Sequence, residues 1–358
     1  MGLPFIDSAI GRKRDQVMAV DLGSRTTKAV CVKRRGQGFA LCGFTLLDAP
    51  IYEKTLPPEL LSEHLKAIAQ ALRPTTKYVS LTAGVNDAQV RHADLPRMPV
   101  HDMRMVLKLN TKNYLQQDLP NHVFDCHVST RAQQPKPSDK PTDPASSQKH
   151  RVLVAAARQQ FVKDFVQGAK GAGLIAEFIV PSLIGPVNTF EKAMPEVFAK
   201  EAVALVDIGF KNSSICILLE GELIITRVVG IGGDKLTNGV AEALSISYAE
   251  AEGIKIGMPS EIQPQLESLL IPLGRELRAS IDFFEHQQDR PVSRVFVTGG
   301  SARSEFIVQK LQQELMVECK ILNPMTFLQM QLPPQQIAEI EQVAPQLTVA
   351  LGAALAAL

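Results

Sequence analysis

The sequence has no surplus of charge, no paired cysteines and no long apolar run, and each absence closes a class of function. Its 38 Lys and Arg stand against 37 Asp and Glu, for a net charge of +1. No broad field therefore draws nucleic acid or an anionic membrane. The basic clusters Arg12-Lys13-Arg14 and Lys33-Arg34-Arg35 are short and read as solvated turns. The five cysteines (Cys31, Cys42, Cys126, Cys216 and Cys319) are scattered, odd in number and never spaced C-x-x-C. That pattern speaks for reduced, buried thiols and against a disulfide framework or a zinc site. No apolar stretch reaches the ~18 residues of a membrane span. The opening "MGLPFIDSAIGRKRD" lacks the apolar core of a signal peptide, and Ile6 stands where myristoylation wants Ser or Thr. The G-K-[ST] ending of a P-loop is absent too.

What is present points to an α/β protein of two domains. The 358 residues, 45% of them hydrophobic, suffice for a large core. Short apolar runs at 17–20, 152–155, 203–206 and 295–297 suit buried strands, and helical patterns alternate with them. Leu273, Leu277, Ile281 and Phe284 fall on one helical face. Ser247 to Glu250 is a capping box. The uncharged "LTVALGAALAAL" at 347–358 reads as a packed helix. One stretch differs: residues 131–150, "RAQQPKPSDKPTDPASSQKH", cannot bury enough apolar surface to order themselves. Strand-like "HVFDCHVST" and "RVLVAAAR" flank it, so it is expected as a long loop inside a hairpin, at little extra closure entropy.

The chemistry lies in a repeat. "VMAVDLGSRTTKAVCV" from Val17 aligns with "VALVDIGFKNSSICIL" from Val203, with Asp21 on Asp207 and Gly23 on Gly209. Each block is followed by a second strand, a turn and a third strand. Glycine after the aspartate lets backbone N–H groups approach a phosphate closely. Neighbouring hydroxyls add donors. An aspartate facing phosphates needs a cation between, and Mg²⁺ held through its waters supplies one. Two such hairpins face to face would clamp a polyphosphate. Thr298-Gly299-Gly300-Ser301 offers a flat glycine face for a base or ribose near a helix start, and Gly232-Gly233 precedes another helix. Glu252 and Lys255 share a helical face. His122 and His127, five apart on a strand, face opposite sides and make no metal site.

This set resembles the actin-like ATPase superfamily, and within it the FtsA/PilM branch, most of all the PilM family of type IV pilus assembly. The resemblance extends over "AVDLGSRTTKAV", "ADLPRMPVHDMRMVLKLNTKNYLQQDLP", the stretch 205–257, "ELRASIDFFE", "VFVTGGSARSEF" and "NPM". It implies duplicated actin-like (ribonuclease H-like) domains with a nucleotide cleft between them and a small α+β inserted subdomain. The expected boundaries are 1–85 with 180–200 and 345–358 for the first domain, 86–179 for the insertion, and 201–344 for the second domain.

The resemblance also implies roles for residues. Asp21, Gly23, Ser24, Thr26, Thr27 and Lys28 would surround the phosphates on one side. Asp207, Gly209, Asn212, Ser213 and Ser214 would do so on the other, with Asp207 orienting an attacking water. Asp21 and Asp207 would face Mg²⁺ through water. Gly232 and Gly233 would lie by the ribose and phosphates. Glu252, Lys255 and Arg278 would border the adenosine, and Gly299, Gly300 and Ser301 would complete its pocket. Two positions depart from the family pattern: Arg25 in the hydroxyl row and Phe210 after the second glycine. They suit a clamp that holds ATP or ADP more than one that turns it over.

The implied function is a cytoplasmic scaffold, associated with the inner membrane through partners, that grips the cytoplasmic tail of a PilN-like membrane protein. ATP would act as a conformational ligand with slow or no hydrolysis. Other pilus-assembly components or self-association would extend the partners; nucleic acid and direct membrane insertion are not expected. The alternatives are an FtsA-like division filament and a sugar kinase of the same superfamily.

Overall fold

In a computed structural model, residues 14–129 and 149–358 are described. The Arg12-Lys13 pair and the Pro-rich segment up to residue 148 lie outside them. The first apolar run becomes β1 (Gln16–Leu22), whose Val17, Met18, Ala19 and Val20 are all buried, as in a strand covered on both faces. β2 (Thr26–Arg35) and β3 (Gly38–Asp48) follow as an antiparallel meander. α1 (Pro58–Leu72) starts with proline, which suits a first turn, and buries Leu61, Leu65 and Ile68. β4 (Tyr78–Ala83) lies parallel beside β1.

The chain then builds a separate three-stranded sheet. β5 (Ala88–Pro96) leads through α2 (Val100–Leu115) to β6 (His122–Val128) and β7 (Lys149–Arg158), in the order β5-β7-β6. β6 and β7 pair as the expected antiparallel hairpin, His122 opposite Arg158. Met103, Leu107 and Leu115 of α2 pack with Phe124, Cys126 and Val154 of the sheet.

The insertion is shorter than the expected 86–179. α3 (Gln159–Gly171) packs on α1, with Gly168 against Leu61, and β8 (Ile175–Pro181) pairs with β4 in the first sheet. A 3-10 turn at Ser182–Ile184, α4 (Gly185–Ala193) and α5 (Pro195–Lys200) lead onward.

The meander then repeats. β9 (Ala202–Ile208), β10 (Ser213–Leu219) and β11 (Glu222–Val229) are antiparallel neighbours. α6 (Gly233–Leu244), α7 (Tyr248–Gly257) and α8 (Gln263–Gln288) follow, α7 opened by the Ser247–Glu250 capping box. Leu273, Leu277, Ile281 and Phe284 of α8 are fully buried. β12 (Arg294–Thr298), α9 (Glu305–Leu315) and β13 (Glu318–Ile321) complete a sheet ordered β11-β10-β9-β12-β13. The first sheet carries the same order, β3-β2-β1-β4-β8, so the internal repeat extends to whole sheets.

β14 (Leu328–Met330) returns to the first sheet beside β3, short of the expected boundary at 344. Leu332 and Ile340, the latter on α10 (Pro334–Val343), join its core for the same reason: they pack with Val30, Leu41 and Leu351. α11 (Thr348–Ala357) is buried nearly all round, the hallmark of a core helix. The helical run Pro334–Ala357 is long and apolar enough to cross a membrane by length and composition, with 67% of its most apolar window buried in the protein.

Candidate functional site

Both hairpin turns open onto one cavity of about 380 Å³, within the size range of small-molecule sites. The two hairpins carry one register. Asp21 pairs across the strands with Lys28, and Asp207 with Ser214. Period-two alternation then sorts the polar side chains. Thr26, Lys28 and Ser214 line the cavity, together with Asp21, Asp207 and Asn212. Thr27 and Ser213 point the other way: Thr27 Oγ1 lies 2.8 Å from His64 Nε2, and Ser213 Oγ donates to the Ile231 carbonyl at 2.6 Å. Both are buried, so their expected phosphate contacts do not arise from this arrangement.

The two aspartates sit in different company. Lys28 Nζ donates to Asp21 at 3.1 Å, and Thr82 Oγ1 donates to it at 3.0 Å. Asp207 has Ser214 where Asp21 has Lys28. Its neighbour on β12, Thr298, donates to the Pro345 carbonyl instead. Among the described residues no side chain hydrogen-bonds the Asp207 carboxylate. Burial, opposed by Lys28 and reinforced by Asp21, pushes its pKa up to about 6. A carboxylate short of partners, across a cleft from a second one, fits a hydrated divalent cation. Among the described residues no group of three or more His, Cys, Asp or Glu stands ready to ligate a metal directly.

The glycines act mainly by letting backbone come close. Gly299 has φ +92°, and a Cβ there would collide with Oδ1 of Asp207. A Cβ on Gly232 would collide with the Phe210 carbonyl. The start of α6 therefore docks on the second turn: Gly233 N donates to Gly209 O at 2.9 Å and Asp234 N to Phe210 O at 2.8 Å. Gly232 and Gly299 back the cavity, while Gly23, Gly209, Gly233 and Gly300 line it.

At the far end, Lys255 is buried and donates to Glu252 at 2.7 Å, Thr237 at 2.6 Å and the Gly233 carbonyl at 3.3 Å. Burial draws the Lys255 pKa down, against the pull of Glu252. Burial raises the Glu252 carboxyl, but the hydrogen bonds from Lys255 and Thr237 outweigh it and hold the group below its usual range. Ser24 and Ser301 also line the cavity. Arg278 does not. Its guanidinium is held on α8 by Asp282 and Glu285, and it reaches the Leu315 carbonyl at 3.1 Å, away from the cleft. Sequence reasoning missed Gly84, Ser182, Arg303, Ser304 and Gln346 as lining residues. Only the strand-helix turn "TGGSARS" at 298–304 hinted at two of them, Arg303 and Ser304.

A second, smaller cavity of about 210 Å³ lies between the first sheet and the inserted sheet. Leu56, Phe161 and Phe165 give it an apolar floor, and Asp87, Asp164 and Arg158 a charged rim. Leu22 and Gly84 line both cavities.

A family profile described as type IV pilus assembly protein PilM matches residues 139–358. The cell division protein FtsA of Bacillus subtilis (strain 168) is 40% identical over 53 residues, which is 15% of this chain and 12% of that protein. Among solved structures, a PilM-PilN type IV pilus biogenesis complex is similar with TM-score 0.80 and 21% identity, covering 97% of this chain and 100% of that one. The ethanolamine utilization protein EutJ from Carboxydothermus hydrogenoformans gives TM-score 0.55 and 16% identity over 98% of this chain and 95% of its own. MreB5 of Spiroplasma citri, bound to AMPPNP, gives TM-score 0.50 and 11% identity over 95% of each. The fold is thus the duplicated actin-like α/β fold.

Proposed function

The chain belongs to the family of the type IV pilus assembly protein PilM, and from that premise we propose that it is a cytoplasmic nucleotide-binding scaffold of a type IV pilus or related secretion machine. The observation that carries the nucleotide reading is the pair of like-registered hairpins facing one cavity. In this reading Gly23, Ser24, Thr26 and Lys28 hold the phosphates from one side. Gly209, Asn212 and Ser214 hold them from the other. Asp21 and Asp207 face a hydrated Mg²⁺, which when bound neutralises phosphate charge. Gly233, Glu252, Lys255, Gly300 and Ser301 border the adenosine. The nucleotide acts chiefly as a ligand that closes the two halves, with slow or no turnover.

The partner in this reading is the cytoplasmic tail of a PilN-like inner-membrane protein, since the similar solved structure is a PilM-PilN complex. The side cavity at Leu56, Phe161 and Phe165 is its proposed seat. A tail that folds there loses conformational entropy and needs apolar anchors to offset it.

Melting with and without Mg-ATP tests the nucleotide site. The parent protein is expected to melt at a higher temperature with Mg-ATP, and Asp21→Ala to lose that rise. A parent protein indifferent to Mg-ATP would sink the reading. Pull-down with the tail peptide tests the scaffold role separately, and Leu56→Asp, at a half-buried position of the side cavity, is expected to abolish capture.

A further inference from the structure

The two positions that depart from the family's hairpin pattern meet in space. Arg25 leaves the first turn and crosses the cleft. Its guanidinium carbon lies 5.3 Å from the centre of the Phe210 ring and 5.8 Å from that of Tyr248. Its nearest nitrogen is 3.3 Å from Glu252. Phe210, Tyr248 and Glu252 all belong to the second half of the molecule; Arg25 belongs to the first. The other bonded cations of the cavity stay on their own side. Lys28 bonds Asp21 within its hairpin, and Lys255 bonds Glu252, Thr237 and Gly233 within the second half. The Arg25 side chain is 44% exposed, so this tie sits at the rim and not on the floor.

We propose that Arg25, with Phe210, Tyr248 and Glu252, forms a latch across the mouth of the nucleotide cavity and sets how long a nucleotide stays. The inference rests on the nucleotide reading above. A flat guanidinium can lie over aromatic rings and still present an edge to a carboxylate, which an ammonium cannot do as well. Glu252 is shared between Lys255 and Arg25, so the closed latch keeps one net positive charge and does not repel a polyphosphate beneath it. The halves must part for the ligand to leave, and parting breaks both the aromatic contacts and the ion pair. An exposed cation–π contact and an exposed ion pair together correspond to about tenfold in release rate.

The test is stopped-flow release of a fluorescent ATP analogue, with Mg²⁺, from the full chain. Arg25→Ala is expected to release it about tenfold faster, with the association rate little changed. Arg25→Lys and Phe210→Ala are expected to fall between. The double variant Arg25→Ala/Phe210→Ala should be no faster than Arg25→Ala, because both act on one contact. Release from the parent should quicken with salt, and release from Arg25→Ala should not. An unchanged release rate in Arg25→Ala, or rate effects of Arg25→Ala and Phe210→Ala that simply multiply, would overturn the latch. Failure of the parent protein to bind the analogue at all would overturn the nucleotide reading with it, a visibly different result. Melting temperatures guard against misfolding: Arg25→Ala is expected to stay close to the parent because Arg25 is exposed, and Phe210→Ala, at a half-buried ring, to fall modestly.

Discussion

Replacing Asp207 by Asn should make the ligand-free protein more stable. The carboxyl's ordinary value of 3.8 is pushed up to about 6 in the cleft, first by burial and then by Asp21, with Lys28 opposing. At ~1.36 kcal/mol per pH unit, that gap of about two corresponds to roughly 3 kcal/mol against folding once the group is ionised. Asp207 is only half-buried, so screening reduces the figure to about 1–3 kcal/mol. The sign follows from proton linkage. The folded state holds the proton more tightly, so the penalty is fully present above about pH 6. It fades as pH falls towards 3.8, where folded and unfolded chains are both protonated. Asn keeps the shape and removes the charge. At pH 8 the midpoint of thermal unfolding, followed by circular dichroism, should rise by about 1–4 °C over the parent. The gain should dwindle between pH 6 and pH 4. The rise with Mg-ATP should shrink, because the same charge is proposed to face the cation, an exchange of stability against function. A variant no more stable than the parent at pH 8, with an unaltered pH profile, would refute the argument.

Gly299→Ala should destabilise the protein by about 2–4 kcal/mol in chemical denaturation, because φ is +92° and the new Cβ meets Asp207 Oδ1. A loss under ~0.5 kcal/mol would mean the close approach is not needed. His92 joins the inserted sheet to the second sheet by donating from Nε2 to the Leu223 carbonyl at 2.8 Å, and its pKa is drawn down to about 4. Burial is the main cause and Arg151 adds to it, outweighing the bond to Leu223 and the charges of Glu222 and Asp94. The stability tied to this neutral ring is therefore present above pH 6.5 and lost as pH falls through about 4. Protection of β5 and β11 from hydrogen exchange, taken relative to the intrinsic rate at each pH, should fall over that window, and His92→Gln, which keeps a donor without titrating, should flatten the response.

The repeat was legible because a strand, an aspartate and a glycine at fixed offsets leave little choice of register. The helix face from Leu273 to Phe284 and the capping box at Ser247 were legible because they are local patterns. What failed was long-range or one-sided. Thr27 and Ser213 sit next to cavity residues in sequence, and alternation turns them away. Arg278 had acidic residues four and seven positions on, Asp282 and Glu285, which claim it along its own helix. β14 spans three residues, too few to show a period, so its return to the first sheet could not be read. Gly232 and Gly299 were read as a cradle for ligand, whereas backbone and a carboxylate occupy the space a side chain would need. The meeting of Arg25 with Phe210 joins residues far apart in the chain and left no local trace.

The shared wall between the two cavities gives a physical route between the proposed nucleotide and the proposed tail. Leu22 and Gly84 each face both cavities, and Thr82, on the side cavity, donates to Asp21, on the main one. Asp21 is thus held from behind by a residue of the tail seat and from the front by Lys28. A phosphate that draws Lys28 away, or a cation that displaces it from Asp21, leaves Thr82 as the remaining bond and shifts the wall that Leu22 contributes to the side cavity. Seating a peptide against Leu22 presses on the same strand end from the other side. Linkage makes such an effect reciprocal, and its size is limited to the difference in affinity each ligand has for the two arrangements. A wall that shares two residues, Leu22 and Gly84, limits that difference to what a few contacts supply, so the expected coupling is modest, and each site should still bind its ligand alone.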